Sequence, residues 1–200
     1  MKTIPPSPSV YFSPSGGTLS ALIGLLADAQ HTIDADLYEL TSLPLAQALV
    51  AAAARGVAVR VVLDAREARA RHSYSALAAT GNVLVRECAH YHLMHDKVLL
   101  IDRQILATGS YNWSDDADQH NSENCLIVPL DGPWELLLSP YSRHHEKLWQ
   151  QSTPLNPEPP STTLTNTQLD TLRHLAAPQP LDQPPPPTTI LTNAAGSPRS

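Results

Sequence analysis

From Ser9 to about Gln150 the apolar positions switch repeatedly between two periods, and the switching predicts strands separated by helices. Ser9 to Ser13 reads as a short strand. After the turn Ser15-Gly16-Gly17-Thr18, residues Leu19, Leu22, Ile23, Leu26 and Ala29 form the stripe of a helix. Ile33 to Leu40 is next, a strand with Ile33, Ala35 and Leu37 on one face and Asp34 and Asp36 on the other. Pro44 near its start, the stripe Leu45, Ala48, Leu49 and Ala52, and Gly56 beyond its last turn define a second helix by its ends. Val57 to Leu63 is a β-branched strand, and a weaker helix over Ser73 to Ala79 leads through Gly81 to the strand Val83-Leu84-Val85. Two further apolar runs, Val98 to Ile101 and Cys125 to Val128, and a last helix from about Pro133 to Gln150 complete the series. The β-α-β-α-β order predicts an α/β fold, specifically an α/β/α sandwich built on a mostly parallel mixed sheet. No internal repeat is visible.

The pattern stops near Gln150. Eleven of the 19 prolines lie beyond that point among Ser, Thr, Asn and Gln, and Pro184 to Pro187 are consecutive. Such a stretch cannot bury enough apolar surface to order itself. The expected organisation is a folded domain over residues 1–150 and a Pro-rich tail over 151–200, with a possible short helix over 164–176 marked by Leu169, Leu172 and Leu175. The formal charge of −6 argues against a protein that coats nucleic acid electrostatically, though an enzyme with a local basic cleft remains open. Cys88 and Cys125 have no metal-ligand spacing and read as buried free thiols. No stretch is long and apolar enough to span a bilayer, and Met1 to Val10 carries no apolar leader. The expected location is the cytoplasm, or the periplasm or exterior if a leader was removed.

The chemistry concentrates between His95 and Asn124. In HDKVLLID, His95 and Lys97 are two apart in a strand and project to the same side, whereas Asp102 is an odd number of positions away and faces elsewhere or ends the strand. A short turn at Arg103-Gln104 precedes GSYNWS (Gly109 to Ser114), and NSEN (Asn121 to Asn124) leads into the next apolar run. His-x-Lys-x4-Asp, then Gly-Ser-x-Asn, then Asn-x-Glu-Asn, in this order and spacing, resembles the phospholipase D superfamily and most closely its small single-motif bacterial endonucleases. The resemblance covers roughly Val10 to Gln150.

It implies a metal-independent phosphodiesterase with no cofactor. A phosphodiester repels anionic nucleophiles and releases its alkoxide only when that oxygen is protonated, so one neutral and one protonated imidazole suit the reaction. By resemblance, His95 is the nucleophile that becomes a phosphohistidine, and Lys97 and Asn112 hold the non-bridging oxygens as charge grows on phosphorus. Ser110 assists as a hydroxyl donor, and Glu123 accepts from one nitrogen of His95 and fixes its tautomer. Asp102 belongs to the same motif, as a structural acceptor more than a base. Larger relatives carry two copies of the block and this chain carries one, so the second histidine is expected from the partner in a twofold homodimer.

Other residues have weaker claims. Arg66 and Arg69, with Arg71, follow the third strand where a loop could reach substrate, although a solvated helix face explains them equally well. Trp113 could stack a base or sit in the core behind the site. His90, His92 and His95 form H-x-H-x2-H, but no acidic or cysteine ligand completes a zinc site, and none is expected. Asp115, Asp116 and Asp118 would repel a polyanion if they lay by the phosphate cleft. Nucleic acid is the favoured substrate and anionic phospholipid the alternative. A catalytically silent nucleic-acid-binding module is a third reading, opposed by the intact set of His95, Lys97, Asn112 and Glu123.

Overall fold

A computed structural model describes residues 7–155. In chain order, β1 (Ser9–Ser13) leads through α1 (Thr18–Asp28) to β2 (Thr32–Leu37), and α2 (Leu43–Ala54) leads to β3 (Ala58–Asp64). Two short helices, α3 (Ala65–Ala68) and α4 (Ser75–Thr80), precede β4 (Leu84–Cys88). Then come β5 (Lys97–Ile101), β6 (Ile105–Gly109), the one-turn helix α5 (Asp115–Gln119) and β7 (Glu123–Pro129). A 3₁₀ turn over Gly132–Leu137, α6 (Leu138–Gln151) and β8 (Thr153–Pro154) complete the described chain. The strands form one sheet in the order β1-β7-β6-β5-β2-β3-β4-β8.

The α/β/α sandwich on a mixed sheet is present, but the expected share of parallel pairing needs correction. Among the described residues only β2-β3 and β3-β4 are parallel, and the other five neighbouring pairs are antiparallel. The connections explain this. Helices between β2, β3 and β4 return the chain to the same end of the sheet each time, which makes those strands parallel. No helix separates β4 from β5, so β5 starts at the edge where β4 ended and runs back beside β2. A tight turn then reverses the chain into β6, with Asp102 and Arg103 left-handed (φ 52° and 55°) and Gln104 N–H donating to Ile101 O at 2.8 Å. The turn therefore centres one residue earlier than the sequence implied, on a residue type that tolerates positive φ.

Strand alternation divides the core in two. Ile33, Ala35 and Leu37 face α1 and α2, where Leu22, Leu26, Leu45 and Leu49 are wholly enclosed. Each such leucine contributes roughly 1.5–3 kcal/mol by leaving water. The opposite face lies under α6, where Val98, Leu100, Leu106 and Leu130 pack with Tyr141. There Asp34 accepts from Arg60 Nε and Nη2 at 2.7 and 3.0 Å, and buried His145 Nδ1 donates to buried Asp36 at 2.7 Å. Burial raises the Asp36 carboxyl above its usual range, with the His145 contact opposing that rise.

Sheet pairing continues a few residues past Gln150. Thr153 pairs with Glu87, Leu155 N–H donates to Val85 O at 2.9 Å, and Arg86 Nη1 donates to Ser152 O at 3.2 Å. This short antiparallel strand covers the free edge of β4 and so belongs to the fold. The possible helix over 164–176 lies outside the described residues. Cys88 and Cys125 are both buried and free, and burial pushes the Cys125 thiol up to about 11.

Candidate active site

The strand directions gather the motif. The carboxyl ends of β2 and β6 and the amino ends of β5 and β7 meet at one edge of the sheet, because β5, β6 and β7 are successive antiparallel neighbours. Tyr38, His95, Lys97, Ser110, Asn112 and Glu123 all come from those ends.

His95 lies just ahead of β5 with its side chain exposed, and its ring nitrogens carry no hydrogen bond among the described residues. Two neighbours fix its position. The Tyr38 ring packs against it at 4.5 Å between centroids, tilted by 58°, and Tyr38 N–H donates to Asp96 O at 2.9 Å. Lys97 Nζ donates to His95 O at 2.9 Å and lies 5.1 Å from the centre of the Tyr38 ring. Tyr38 is in turn held by Glu67, which accepts from its hydroxyl at 3.1 Å. Met94 N–H donates to buried Asp64 at 3.0 Å, and Asp64 also caps the first turn of α3 through Arg66 N–H.

Lys97 is buried, which lowers its ammonium pKa, while Glu123, Glu39 and Asp96 act in the opposite direction. Glu123 shares a sheet face with Lys97 and is within its electrostatic reach, but forms no hydrogen bond with His95 among the described residues. Ser110 Oγ accepts from Asn124 N–H at 3.1 Å and from Asn124 Nδ2 at 3.2 Å, which leaves its own proton free to donate. Ser110 and Tyr111 N–H both donate to Asn124 O. A Cβ at position 109 would meet that same oxygen at 2.2 Å, so the close approach of the two motif segments requires Gly109. Asn112 Oδ1 is buried with no hydrogen-bond partner among the described residues.

Four other residues singled out from sequence, Asp102, Trp113, Arg69 and Arg66, do not line the His95 cleft. Asp102 is at the far end of β5, about 17 Å along the strand from Lys97. Its carboxylate accepts from the N–H groups of Gln30, His31 and Thr32 at 3.0, 2.6 and 3.0 Å, so it anchors the start of β2. Trp113 is a core residue whose carbonyl accepts from Thr41 and Ser42, and its ring is not available to stack a base. Arg69 is bound in a fork to Glu87 and lines a pocket that shares no residue with the His95 cleft. Arg66 is exposed on α3. The acidic run is also accounted for. Ser114 caps α5 by accepting from Ala117 N–H, the aspartates sit in its first turn where the helix dipole favours them, and Asp118 accepts from the Tyr111 hydroxyl. Asp115 and Asp116 border a different pocket, with Glu39 and His72.

His90 and His92 do not gather with His95 into a metal site. Among the described residues the group with ligand atoms close enough to hold an ion is Glu39, Glu67 and His72, within 4.8 Å of one another. The sequence reading also missed residues. The cleft of about 350 Å³ at His95 is lined by Asp96, Lys97, Thr108, Tyr141 and His144 as well. His144, from α6, is distant in sequence, and the only signal for it is a histidine pair on a helix near the chain's last apolar stripe.

The arrangement has known counterparts. Residues 22–149 match the family described as "Cardiolipin synthase, PLD-like domain". The mitochondrial cardiolipin hydrolase of Homo sapiens is 34% identical over 136 residues, 68% of this chain and 52% of its own length. That of Mus musculus is 30% identical over 154 residues, 76% of this chain and 68% of its own. The chain thus spans about half the length of the human relative. Among solved structures, the phospholipase D family member Nuc from Salmonella typhimurium superposes with a TM-score of 0.70 at 30% identity, over 75% of this chain and 98% of that one. Family match, relatives and fold agree with the motif geometry, and the chain belongs to the phospholipase D superfamily of phosphodiesterases.

Proposed function

We propose that the chain hydrolyses phosphodiesters through a covalent phosphohistidine on His95, without a metal ion, and that nucleic acid is its favoured substrate. The observation that carries this reading is the exposed His95 ring, free of hydrogen bonds among the described residues and packed on Tyr38 beside the buried Lys97. A nitrogen lone pair of neutral His95 attacks phosphorus, and the bond to the leaving oxygen breaks as that oxygen takes a proton. Lys97, Asn112 and Ser110 hold the non-bridging oxygens, and the desolvated setting of Lys97 strengthens its pull on them. Water then attacks the phosphohistidine, gives up a proton and releases the phosphate monoester. The proton donor is His95 of a second copy across a twofold axis, which an exposed histidine at the sheet edge permits.

Support for nucleic acid comes from the single copy of the motif, the feature by which the sequence resembles small single-motif endonucleases. A second reading, phospholipid hydrolysis, has its own observation. Trp134 and Leu136 are exposed in the 3₁₀ turn just ahead of the helix that lines the cleft, and the human and mouse relatives are named cardiolipin hydrolases. Incubation with single-stranded DNA, duplex DNA, RNA and anionic phospholipid vesicles in EDTA tests both. Cleavage of a nucleic acid that survives EDTA supports the first reading, cleavage of lipid alone supports the second, and activity restored by added zinc or magnesium defeats the mechanism. The shared site is read by co-refolding equal amounts of wild type and His95→Asn. Random pairing leaves about a quarter of full activity if the site is composite and about half if each chain works alone.

A further inference from the structure

His144 lines the same cleft as His95, yet nothing in the reaction above uses it. Its Nε2 donates to Asp96 Oδ2 at 2.7 Å, and its Nδ1 has no hydrogen bond among the described residues. We propose that His144, held by Asp96, binds a second phosphate of the substrate, separated from the scissile one by a single sugar or glycerol unit. This rests on the phosphodiesterase reading and names what that substrate carries beyond the reacting group.

The placement follows from α6. His145 is buried on Asp36, and Leu148 is buried one turn on, which fixes the rotation of the helix. The preceding residue, about 100° around the axis, is then directed to the cleft at the sheet edge. Strand alternation puts Asp96 on the side of β5 opposite to Lys97, so the pair stands across the strand end from the lysine that receives the scissile phosphate. The cleft, at about 350 Å³, has room for roughly a dozen waters, far more than one phosphate group needs.

Electrostatics favour the same assignment. An unpaired Asp96 carboxylate would repel the substrate. A protonated His144 cancels that charge and offers Nδ1–H as a donor, since the imidazolium donates from both nitrogens. Thr108 and Tyr141 add hydroxyls on the same wall, and neither side chain has a hydrogen bond among the described residues. A purely structural role explains less. The pair is half-exposed, where an ion pair stabilises little, and α6 is already anchored by Asp36–His145, Arg60–Glu146 and Leu148. Nucleic-acid backbones and two-phosphate glycerol lipids both have the required spacing.

The test is binding by titration calorimetry with ligands the enzyme does not cleave. One arm compares thymidine 3′,5′-bisphosphate with thymidine 5′-monophosphate, and the other compares glycerol 1,3-bisphosphate with glycerol 3-phosphate. Wild type is expected to prefer the bisphosphate at least about tenfold in one arm, and that arm identifies the spacer. The preference should shrink to about twofold in His144→Gln and in the double variant Asp96→Asn/His144→Gln, which removes the pair without changing net charge when His144 is protonated. A preference unchanged in both variants, or absent from wild type in both arms, overturns the proposal. Hydrolysis of a p-nitrophenyl phosphodiester, and its loss in His95→Ala, reports separately on the phosphodiesterase reading.

Discussion

The two ends of β5 belong to one sequence motif and have different work. At its amino end His95 is exposed and, among the described residues, without side-chain hydrogen bonds, beside a lysine that burial has partly stripped of water. At its carboxyl end Asp102 is tied to three consecutive backbone N–H groups at the start of β2. One end is left open toward solvent, as the proposed role of His95 requires. The other end is saturated, as a group that holds two strands together has to be. On the proposed mechanism a short motif marks catalysis and architecture at once, and proximity in sequence does not tell which residue does which.

The sharpest way to break this comparison is substitution at each end. His95→Ala should reduce phosphodiester turnover by at least about 10³-fold while unfolding free energy stays within roughly 0.5 kcal/mol of wild type. Steady-state rates and urea denaturation on the same sample read both quantities, and a large stability loss would mean the amino end is architectural too. Asp102→Ala should do the reverse. Loss of a charged acceptor from several N–H groups should cost about 2–4 kcal/mol in urea denaturation, with kcat of the folded enzyme nearly retained. A kcat that falls as far as it does in His95→Ala would place Asp102 in the chemistry.

A smaller effect sharpens the contrast between the aliphatic face under α1 and α2 and the polar face under α6. The Asp36 carboxyl is raised by burial, so between the usual aspartate value and the raised one the folded state binds more protons than the unfolded state. The contribution of Asp36 to stability therefore falls as pH rises through that window and is least favourable above it. Asp36→Asn should flatten this part of the stability–pH curve, as measured by urea midpoints from pH 4 upward. Leu49→Ala, on the aliphatic face, should lower the whole curve by about 2–5 kcal/mol without changing its shape. An Asp36→Asn curve parallel to wild type would show that the His145 contact, not burial, sets the behaviour of Asp36.

Much of this is legible in the sequence. Alternating periods located nearly every long element because helix and strand repeats differ and the core must be apolar on whichever face they present. Gly56 marked the end of α2 and sits at φ 91°, a requirement of the local backbone. His95, Lys97, Asn112 and Glu123 stood out because their types and offsets are tied to a chemistry that needs an imidazole and donors for phosphate oxygens. Those are properties of local sequence, and the chain determined them by itself.

What the tertiary structure decided depends on long-range pairing. The antiparallel half of the sheet followed from the absence of a helix between β4 and β5, whose meaning appears only when β5 lands beside β2. Tyr38, Asp64 and His144 reach the site from 57, 31 and 49 residues away from His95, and no local period records such a meeting. Trp113 and Arg69 each had two readings open in the sequence, and packing gave one to the core while Glu87 took the other. Sequence fixes what each side chain is able to do, whereas its partners depend on which segments the fold brings within a few ångströms. For charged and polar groups those partners decide whether the group is spent on structure or left for substrate.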